Sequence, residues 1–230
     1  MTSTKLTKPH YKHFSEVIFA TTDYVIAQVY KEALPDITLK ESIFQGHCVK
    51  VISSYDNSHV TYGIITKINN SSLDNIHKPT ALGLTLKELQ ELHPQLHELL
   101  RKELEIYLFA YRDSSGEIVN IAPLKPMMVH DFVYLVSEEE ELLKITSDLN
   151  SLISLIKKNN LKVDILLNLI ETGYKLRNLD HNYILNIGQE LSRIYGDEAE
   201  TLIQTLKKLS LIKDKNTMSK KNEKNNYRNY

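Results

Sequence analysis

ELEIYLFAY, residues 103–111, is the stretch of sequence that decides the fold. Aliphatic residues alternate with aromatic residues along it, with Leu104, Ile106, Leu108 and Ala110 on one face and Tyr107, Phe109 and Tyr111 on the other. A period of two residues is that of a β-strand, and apolar residues on both faces indicate a strand that is covered on both sides. The sequence therefore predicts a central strand with a layer packed on each face.

Segments with strand periodicity precede and follow this central strand. Residues 60–69 place Val60, Tyr62, Ile64 and Ile68 on one face, and polar residues at 113–116 predict a hairpin turn. The predicted strands are residues 17–20, 24–30, 47–53, 60–69, 103–111, 117–121 and 131–136. We expect them to form a small antiparallel β-barrel over residues 1–136.

One helix interrupts the series of strands near residues 85–100. Thr85 and Glu88 have the spacing of a capping box, and leucines follow at helical spacing. Pro94 falls in the middle of this segment and removes a backbone hydrogen-bond donor. The sequence predicts a kink there, or two short helices.

From Ser137 onward the apolar period changes from 2 to 3.6, which is typical of helices. Four apolar stripes predict a helical domain at residues 137–212, and Ser137 with Glu140 has the spacing of a second capping box. The expected N-cap positions of the later helices are Asp148, Asp164, Asp180 and Asp197. The fold class is therefore α+β: a barrel with one inserted helix, followed by helices.

Two arrangements of the helices are compatible with this pattern. In the first, the helices pack into a distinct bundle beside a closed barrel, because four apolar stripes are enough to bury a core against one another. In the second, one or more helices cover an open face of the barrel, as the apolar outer positions Tyr107 and Phe109 suggest. We expect the first arrangement and keep the second as the alternative.

Residues 213–230 form a basic tail. They hold six basic and two acidic residues, a net charge of +4, which leaves −5 for residues 1–212 of a chain whose total is −1. The tail has almost no aliphatic residue, so we expect it to be disordered. Its lysines, with Tyr227 and Tyr230 for stacking, could bind nucleic acid, although a solvated terminus is the simpler interpretation.

The composition indicates a protein that is soluble and is made in the compartment where it works. Cys48 is the single cysteine, which excludes an internal disulfide and any site built from several cysteines. No apolar run approaches the roughly 20 residues that span a bilayer, and the first residues lack a secretory signal. Of 28 basic residues 23 are lysine, a bias that suggests an AT-rich genome, such as that of an organelle or a reduced bacterium, unless it reflects ordinary lineage drift.

Glycine spacing excludes the common phosphate-binding loops. No two of the seven glycines lie closer than eight residues in the sequence. A Walker A loop needs two glycines five residues apart before a lysine, and a dinucleotide-binding turn needs three within six residues. Neither nucleotide-binding motif is present.

The residue pairs that could carry chemistry all have simpler structural interpretations. His93 and His97 have a metal-ligand spacing, but Pro94 disfavours helical geometry at His93. His130 and Asp131 could form an acid–base pair, yet no nucleophile motif accompanies them, and a polar strand entry is the simpler interpretation.

Cys48 and the acidic run at residues 138–141 also have simpler structural interpretations. Cys48 lies in a predicted strand and is expected to be buried and inert. The four acids fall in the first turn of a helix, where they favour the helix dipole; a metal or partner site is the alternative. We therefore predict no catalytic, cofactor or metal site, and the sequence does not identify partner-binding residues.

Three short motifs together are similar to those of a known family. They are GHCVKV at residues 46–51, YGII at 62–65, and Pro123 and Pro126 followed by HDFVY at 130–134. The stretch resembles the small barrel, termed the HAS-barrel, of the HerA DNA translocase and of the α and β subunits of ATP synthase. The whole chain resembles uncharacterised proteins with this barrel from cyanobacteria and red-algal-type plastids, in which a segment similar to IGQELSR at 187–193 follows.

The resemblance implies a function without catalysis. In the ATPases the barrel precedes the motor domain and helps subunits to assemble, and no catalytic residue lies in it. We therefore expect a non-enzymatic assembly or protein-interaction module, without ATPase activity, in the plastid stroma or cyanobacterial cytoplasm. The partner would be another protein or a copy of the chain; the alternative is a nucleic-acid-binding accessory protein that uses the basic tail.

Overall fold

The computed structural model describes residues 13–30, 43–55, 58–72 and 81–226. Within these ranges the strands match those that the sequence predicts, with β4 and β5 extending further than expected. They are β1 (Ser15–Ala20), β2 (Tyr24–Val29), β3 (Cys48–Ile52), β4 (Val60–Ser72), β5 (Leu100–Arg112), β6 (Ile118–Val119) and β7 (Phe132–Leu135).

Six of these strands close into a barrel. Neighbours around it are β1, β2, β5, β4, β3 and β7, and β7 pairs back with β1. Every pairing is antiparallel, and β6 adds a short hairpin at the end of β5. Buried aliphatic side chains such as Val17, Val49 and Ile106 fill the interior. The predicted antiparallel barrel is confirmed.

Bulges decide which face several side chains occupy. Leu104, Ile106 and Leu108 point into the barrel as predicted. The pairing of β5 with β4 shifts near Phe109, so Ala110 joins Phe109 on the outer wall. A second shift between residues 65 and 67 turns Ile68 toward the interior, away from the face predicted for it. A bulge inserts one residue and so exchanges the two faces beyond it.

The inserted helical segment is broken as expected. Helix α1 (Leu86–Leu92) begins with the predicted capping box, in which Thr85 and Glu88 exchange hydrogen bonds of 3.2 and 2.7 Å. Helix α2 (Pro94–Leu99) starts at the proline, whose missing N–H costs nothing in a first turn.

Five helices follow the barrel: α3 (Glu139–Ile145), α4 (Asn150–Lys158), α5 (Asp164–Leu176), α6 (His181–Ile194) and α7 (Ala199–Asn226). Asp180 caps α6 as predicted, accepting from the Asn182 N–H at 3.0 Å. The second predicted capping box does not form, because α3 starts at Glu139 and its N-cap residue, Glu138, makes no side-chain capping hydrogen bond. The other three predicted caps do not form as expected. Asp164 lies inside α5 and Asp197 lies before α7, and each forms an ion pair with a lysine. Asp148 accepts from the Asn150 N–H at 2.9 Å but lies one residue before the N-cap of α4.

The helices lie against the outer wall of the barrel. One apolar core joins Tyr62, Ile64 and Phe109 of β4 and β5 with side chains of the helices such as Leu152 and Ile170. The closed barrel agrees with the first arrangement, whereas the shared core agrees with the second in that helices cover part of the barrel wall; whether the two halves fold independently stays a prediction. Phe109 explains why helices lie on this wall, because strand alternation already places its large apolar side chain outside the barrel, where it must be covered.

The basic tail also differs from the expectation. Helix α7 continues to Asn226, whereas disorder was predicted from residue 213. Residues 213–226 contain neither glycine nor proline, and Asn216 donates to Glu171 of α5 at 3.3 Å, so the helix extends from a packed segment. Tyr227 and Tyr230 lie outside the described residues. Among the helices described, none combines the length and apolar character needed to cross a bilayer.

Candidate functional site

The segment between β6 and β7 lies at the end of the barrel where β3 and β5 finish. Two buried side chains hold it there. Met127 packs inside, with the Thr61 hydroxyl 3.2 Å from its sulfur. The buried carboxylate of Asp131 accepts from the Ser54 N–H at 2.8 Å, the Ser54 hydroxyl at 3.2 Å and the Met128 N–H at 2.6 Å. These contacts fix the segment to the β3–β4 connection.

Between and beside these anchors, large apolar side chains face outward. Tyr55 is 95% exposed, Leu124 90% and Met128 64%. Together with Ile121 and Val129, which are also exposed, we call these five residues the barrel-end surface. Single exposed apolar residues are ordinary, but several of them on one anchored segment and the turn beside it are not.

An open concavity of about 840 Å³ adjoins the barrel-end surface. Tyr55, Met128 and Val129 line it together with the cations Arg112 and Lys125. It also contains His59, several serines and two carboxylates, which is a set that could suggest hydrolytic chemistry.

Both carboxylates of this concavity serve local structure. Asp131 accepts the three bonds described above, and Asp113 accepts from the Ser115 N–H and hydroxyl and from the Glu117 N–H. These bonds to Asp113 lower the pKa of its carboxyl, the Ser115 hydroxyl foremost among them. A general base must present an acceptor to the substrate, whereas both Asp131 oxygens and Oδ1 of Asp113 already accept structural hydrogen bonds.

His130 and Asp131 do not form the acid–base pair considered from the sequence. Asp131 faces Ser54 and Met128, and the His130 imidazole lies against the carboxylate of Glu16 on β1. His130 also has a backbone φ of 75°, a conformation unusual outside glycine, and its N–H donates to the Val17 carbonyl at 2.8 Å. The turn thus serves to direct the chain into β7, as the simpler interpretation expected.

Glu141, from the acidic run, is buried where α3 meets the barrel wall. Its Oε2 lies 2.7 Å from Lys50 Nζ, and its Oε1 accepts from Arg112 at 2.6 Å and from the Tyr62 hydroxyl at 2.9 Å. Burial and the bond to Glu141 raise the pKa of Tyr62 above its ordinary value. We call Lys50, Tyr62, Arg112 and Glu141 the wall network.

The wall network was not predicted from the sequence, although the sequence contains a signal for it. Glu141 precedes Ile145 by four residues and so lies on the buried face of α3. A carboxylate on a buried face requires cationic partners; Lys50 stands on a predicted strand, and Arg112 directly follows another. Because each of its charges has a partner at close range, the network serves to hold α3 on the barrel.

Cys48 is buried beside the wall network, as predicted. Burial first, and then the negative charge of Glu141, raise the pKa of its thiol well above the ordinary range. Since the thiolate is the reactive form, this cysteine is unsuited to nucleophilic or redox chemistry.

His93 and His97 lie at the break between α1 and α2. His93 forms the junction itself, and Nδ1 of His97 lies 4.0 Å from Oε1 of Glu98. Across the described ranges, no three His, Cys, Asp or Glu side chains converge as metal ligands would. The described residues therefore supply no third metal ligand beside His93 and His97.

No family model matches this chain, and the curated proteins contain no match to it.

Proposed function

We propose that this protein is a non-enzymatic assembly module that binds another protein, or a copy of itself, through the barrel-end surface. The observation that carries the proposal is the exposure of Tyr55, Leu124 and Met128 on a segment anchored by Met127 and Asp131. An anchored apolar surface loses little conformational entropy when a partner covers it.

The energetics favour this use of the surface. Full burial of a leucine or methionine side chain contributes about 1.5–3 kcal/mol, so covering the barrel-end surface would offset much of the cost of association. Tyrosine, methionine and arginine are enriched at protein interfaces, and Tyr55, Met128 and Arg112 meet here.

Two further points support an activity without catalysis. The carboxylates of the concavity and of the wall network are engaged in structural bonds. The resemblance to HAS-barrels also favours assembly, since the barrel of the motors has no catalytic role. With the lysine-rich composition, it favours a plastid or a cyanobacterial cell as the place where the module acts.

Native mass spectrometry of the purified chain, and of complexes captured from a cyanobacterial or plastid extract, tests the proposal. We expect an oligomer or a stoichiometric complex that the double substitution Leu124→Ser and Met128→Ser disrupts. Leu211→Ser is the matched control, because Leu211 is also about two-thirds exposed but lies on α7. A strict monomer without a partner, or equal disruption by the control, would contradict the proposal.

The second candidate function is nucleic-acid binding by the basic segment of α7. The helix continues through residues 213–226, which gives the lysines there a regular spacing on one element. Affinity for single- and double-stranded DNA and RNA should then fall steeply with salt and disappear when residues 214–230 are removed. Absence of binding at low salt excludes this candidate.

A further inference from the structure

A second apolar surface lies far along the chain from the barrel-end surface, between α6 and α7. A groove of about 530 Å³ runs between the two helices. Its floor includes Ile184, Leu206 and Leu209, and Leu185 at its edge is 62% exposed. Helix α6 has 14 residues, so the groove is at most about 21 Å long, which corresponds to a few turns of a helix laid along it.

Gly188 lies in the middle of α6, at the groove. A glycine in a helix interior costs about 1 kcal/mol relative to alanine, so its presence calls for a reason. A Cβ atom at Gly188 would meet Leu206 Cδ2 at 3.6 Å, an ordinary van der Waals contact. Packing within the described chain therefore does not require glycine at this position.

At each of the other glycines, close packing or backbone conformation explains the absence of a side chain. At Gly173 in α5, a Cβ atom would lie 2.4 Å from the Tyr183 hydroxyl oxygen and 2.9 Å from Thr146 Cβ, so close packing requires glycine. The rest meet a close backbone atom or have a positive φ: Gly46, Gly63, Gly83, Gly116 and Gly196. Gly188 differs from all six, and the effect of its missing side chain is to deepen the groove.

The ionisable side chains at the groove are basic. Lys213 and His181 line it, and no aspartate or glutamate among the described residues does. The Tyr174 hydroxyl lies 2.8 Å from Nδ1 of His181, which holds the imidazole in place at the groove. Carboxylates on an occupant would therefore be favoured beside an apolar floor.

From these observations we infer that the α6–α7 groove binds one acidic amphipathic helix of a partner protein. An aliphatic or aromatic side chain of that helix sits over Gly188, and its carboxylates face Lys213 and His181. An apolar groove between two helices is a common receptor for such a helix. The inference rests on the proposed function and adds to it a surface and a partner class.

Selection from a displayed library of helical peptides, with the full chain as bait, tests the inference. We expect enrichment of peptides with apolar residues at i, i+4 and i+7 and an excess of Asp and Glu. In fluorescence anisotropy, Gly188→Met should weaken such a peptide at least tenfold by filling the groove, and Leu185→Glu should do the same by repulsion. Gly188→Ala, the matched control, should weaken it less than threefold, and circular dichroism checks that each variant is folded.

Several outcomes overturn the inference. They are no enrichment, enrichment of basic peptides, or equal affinity for the wild-type protein and both groove variants. Sedimentation equilibrium supplies a further outcome: a dimer that Gly188→Met dissociates, without peptide selection, assigns the groove to a second copy. If a native complex survives Gly188→Met and no peptide binds, only the groove inference is refuted. If the wild-type chain forms no complex at all, the proposed function is refuted.

Discussion

The Tyr62 hydroxyl donates a 2.9 Å hydrogen bond to the carboxylate of Glu141, although 79 residues separate them in the chain. Arg112 donates to both oxygen atoms, at 2.8 Å to the phenol and 2.6 Å to the carboxylate. A strand residue of the barrel wall and a residue of the first helix beyond the barrel are thus joined at one point. This bond is the polar counterpart of the apolar core that the wall and the helices share.

Removal of the charge of Glu141 should destabilise the protein. Glu141→Gln removes the carboxylate that lies 2.6 Å from Arg112 and 2.7 Å from Lys50, and leaves Lys50, whose side chain is 14% exposed, with the longer 3.5 Å ion pair to Glu138. We expect a loss of about 3 kcal/mol in the free energy of unfolding, at the lower end for a broken buried pair because Arg112 keeps some contact with water. Urea denaturation measures it.

Glu139→Gln is the matched control, because Glu139 is exposed in the same helical turn. It should change the free energy of unfolding by less than about 0.5 kcal/mol. If Lys50→Met is added to Glu141→Gln, part of the loss should be recovered. Equal effects at positions 139 and 141 would show that the wall network contributes nothing specific.

The contact between barrel and helices should depend on Phe109. Phe109→Ala removes a fully buried ring from the core shared by strands and helices, which should cost about 3–5 kcal/mol. Leu124→Ala, at an exposed position, should change stability by less than about 0.5 kcal/mol. Equilibrium unfolding in urea compares them, and a small effect at Phe109 would contradict its buried position.

The two halves should unfold as one unit. Because the helices bury their apolar faces partly against β4 and β5, residues 137–226 expressed alone would expose that core. We expect this fragment to lack a cooperative thermal transition by circular dichroism, and the barrel fragment to bind a hydrophobic dye and aggregate. Two separate transitions in the full chain, or a cooperatively folded helical fragment, would instead indicate independent domains.

Alanine substitutions at two helical glycines should have opposite effects. At Gly173 the new methyl group would overlap Tyr183 and Thr146, so we expect a loss of about 1–3 kcal/mol. At Gly188 the methyl group has room, so the better helix propensity of alanine should raise the stability by about 0.5–1 kcal/mol. Thermal denaturation of both variants checks the signs, and destabilisation by Gly188→Ala would show that packing within the chain requires this glycine.

Cys48 should resist thiol reagents in the folded protein. Its pKa is raised by burial and by the nearby charge of Glu141, and both causes disfavour the thiolate. We expect almost no reaction with a disulfide reagent at mildly alkaline pH, and full reaction of one thiol after denaturation in urea. Rapid labelling of the folded chain would show that the barrel wall opens around β3.

The sequence by itself determined the local structure. Strand periodicity at residues 103–111, the break at Pro94 and the start of helices beyond Ser137 are all set by backbone geometry over a few residues, and the structure follows them. Cys48 was likewise predicted to be buried, because it stands on a predicted strand beside Val49.

The tertiary structure decided which faces meet, because bulges and barrel closure depend on pairings between distant residues. The bulge at Phe109 placed Ala110 outside, and the fit of α3 against the wall buried Glu141 among Lys50 and Arg112. Both candidate surfaces likewise depend on contacts between residues that are distant in the sequence. Leu124 and Met128 lie in a segment without periodicity, anchored by Asp131 to a distant turn, and the groove at Gly188 exists only because α7 packs beside α6. Such contacts leave no local pattern, since neither partner in a long-range contact changes the backbone preference of the other.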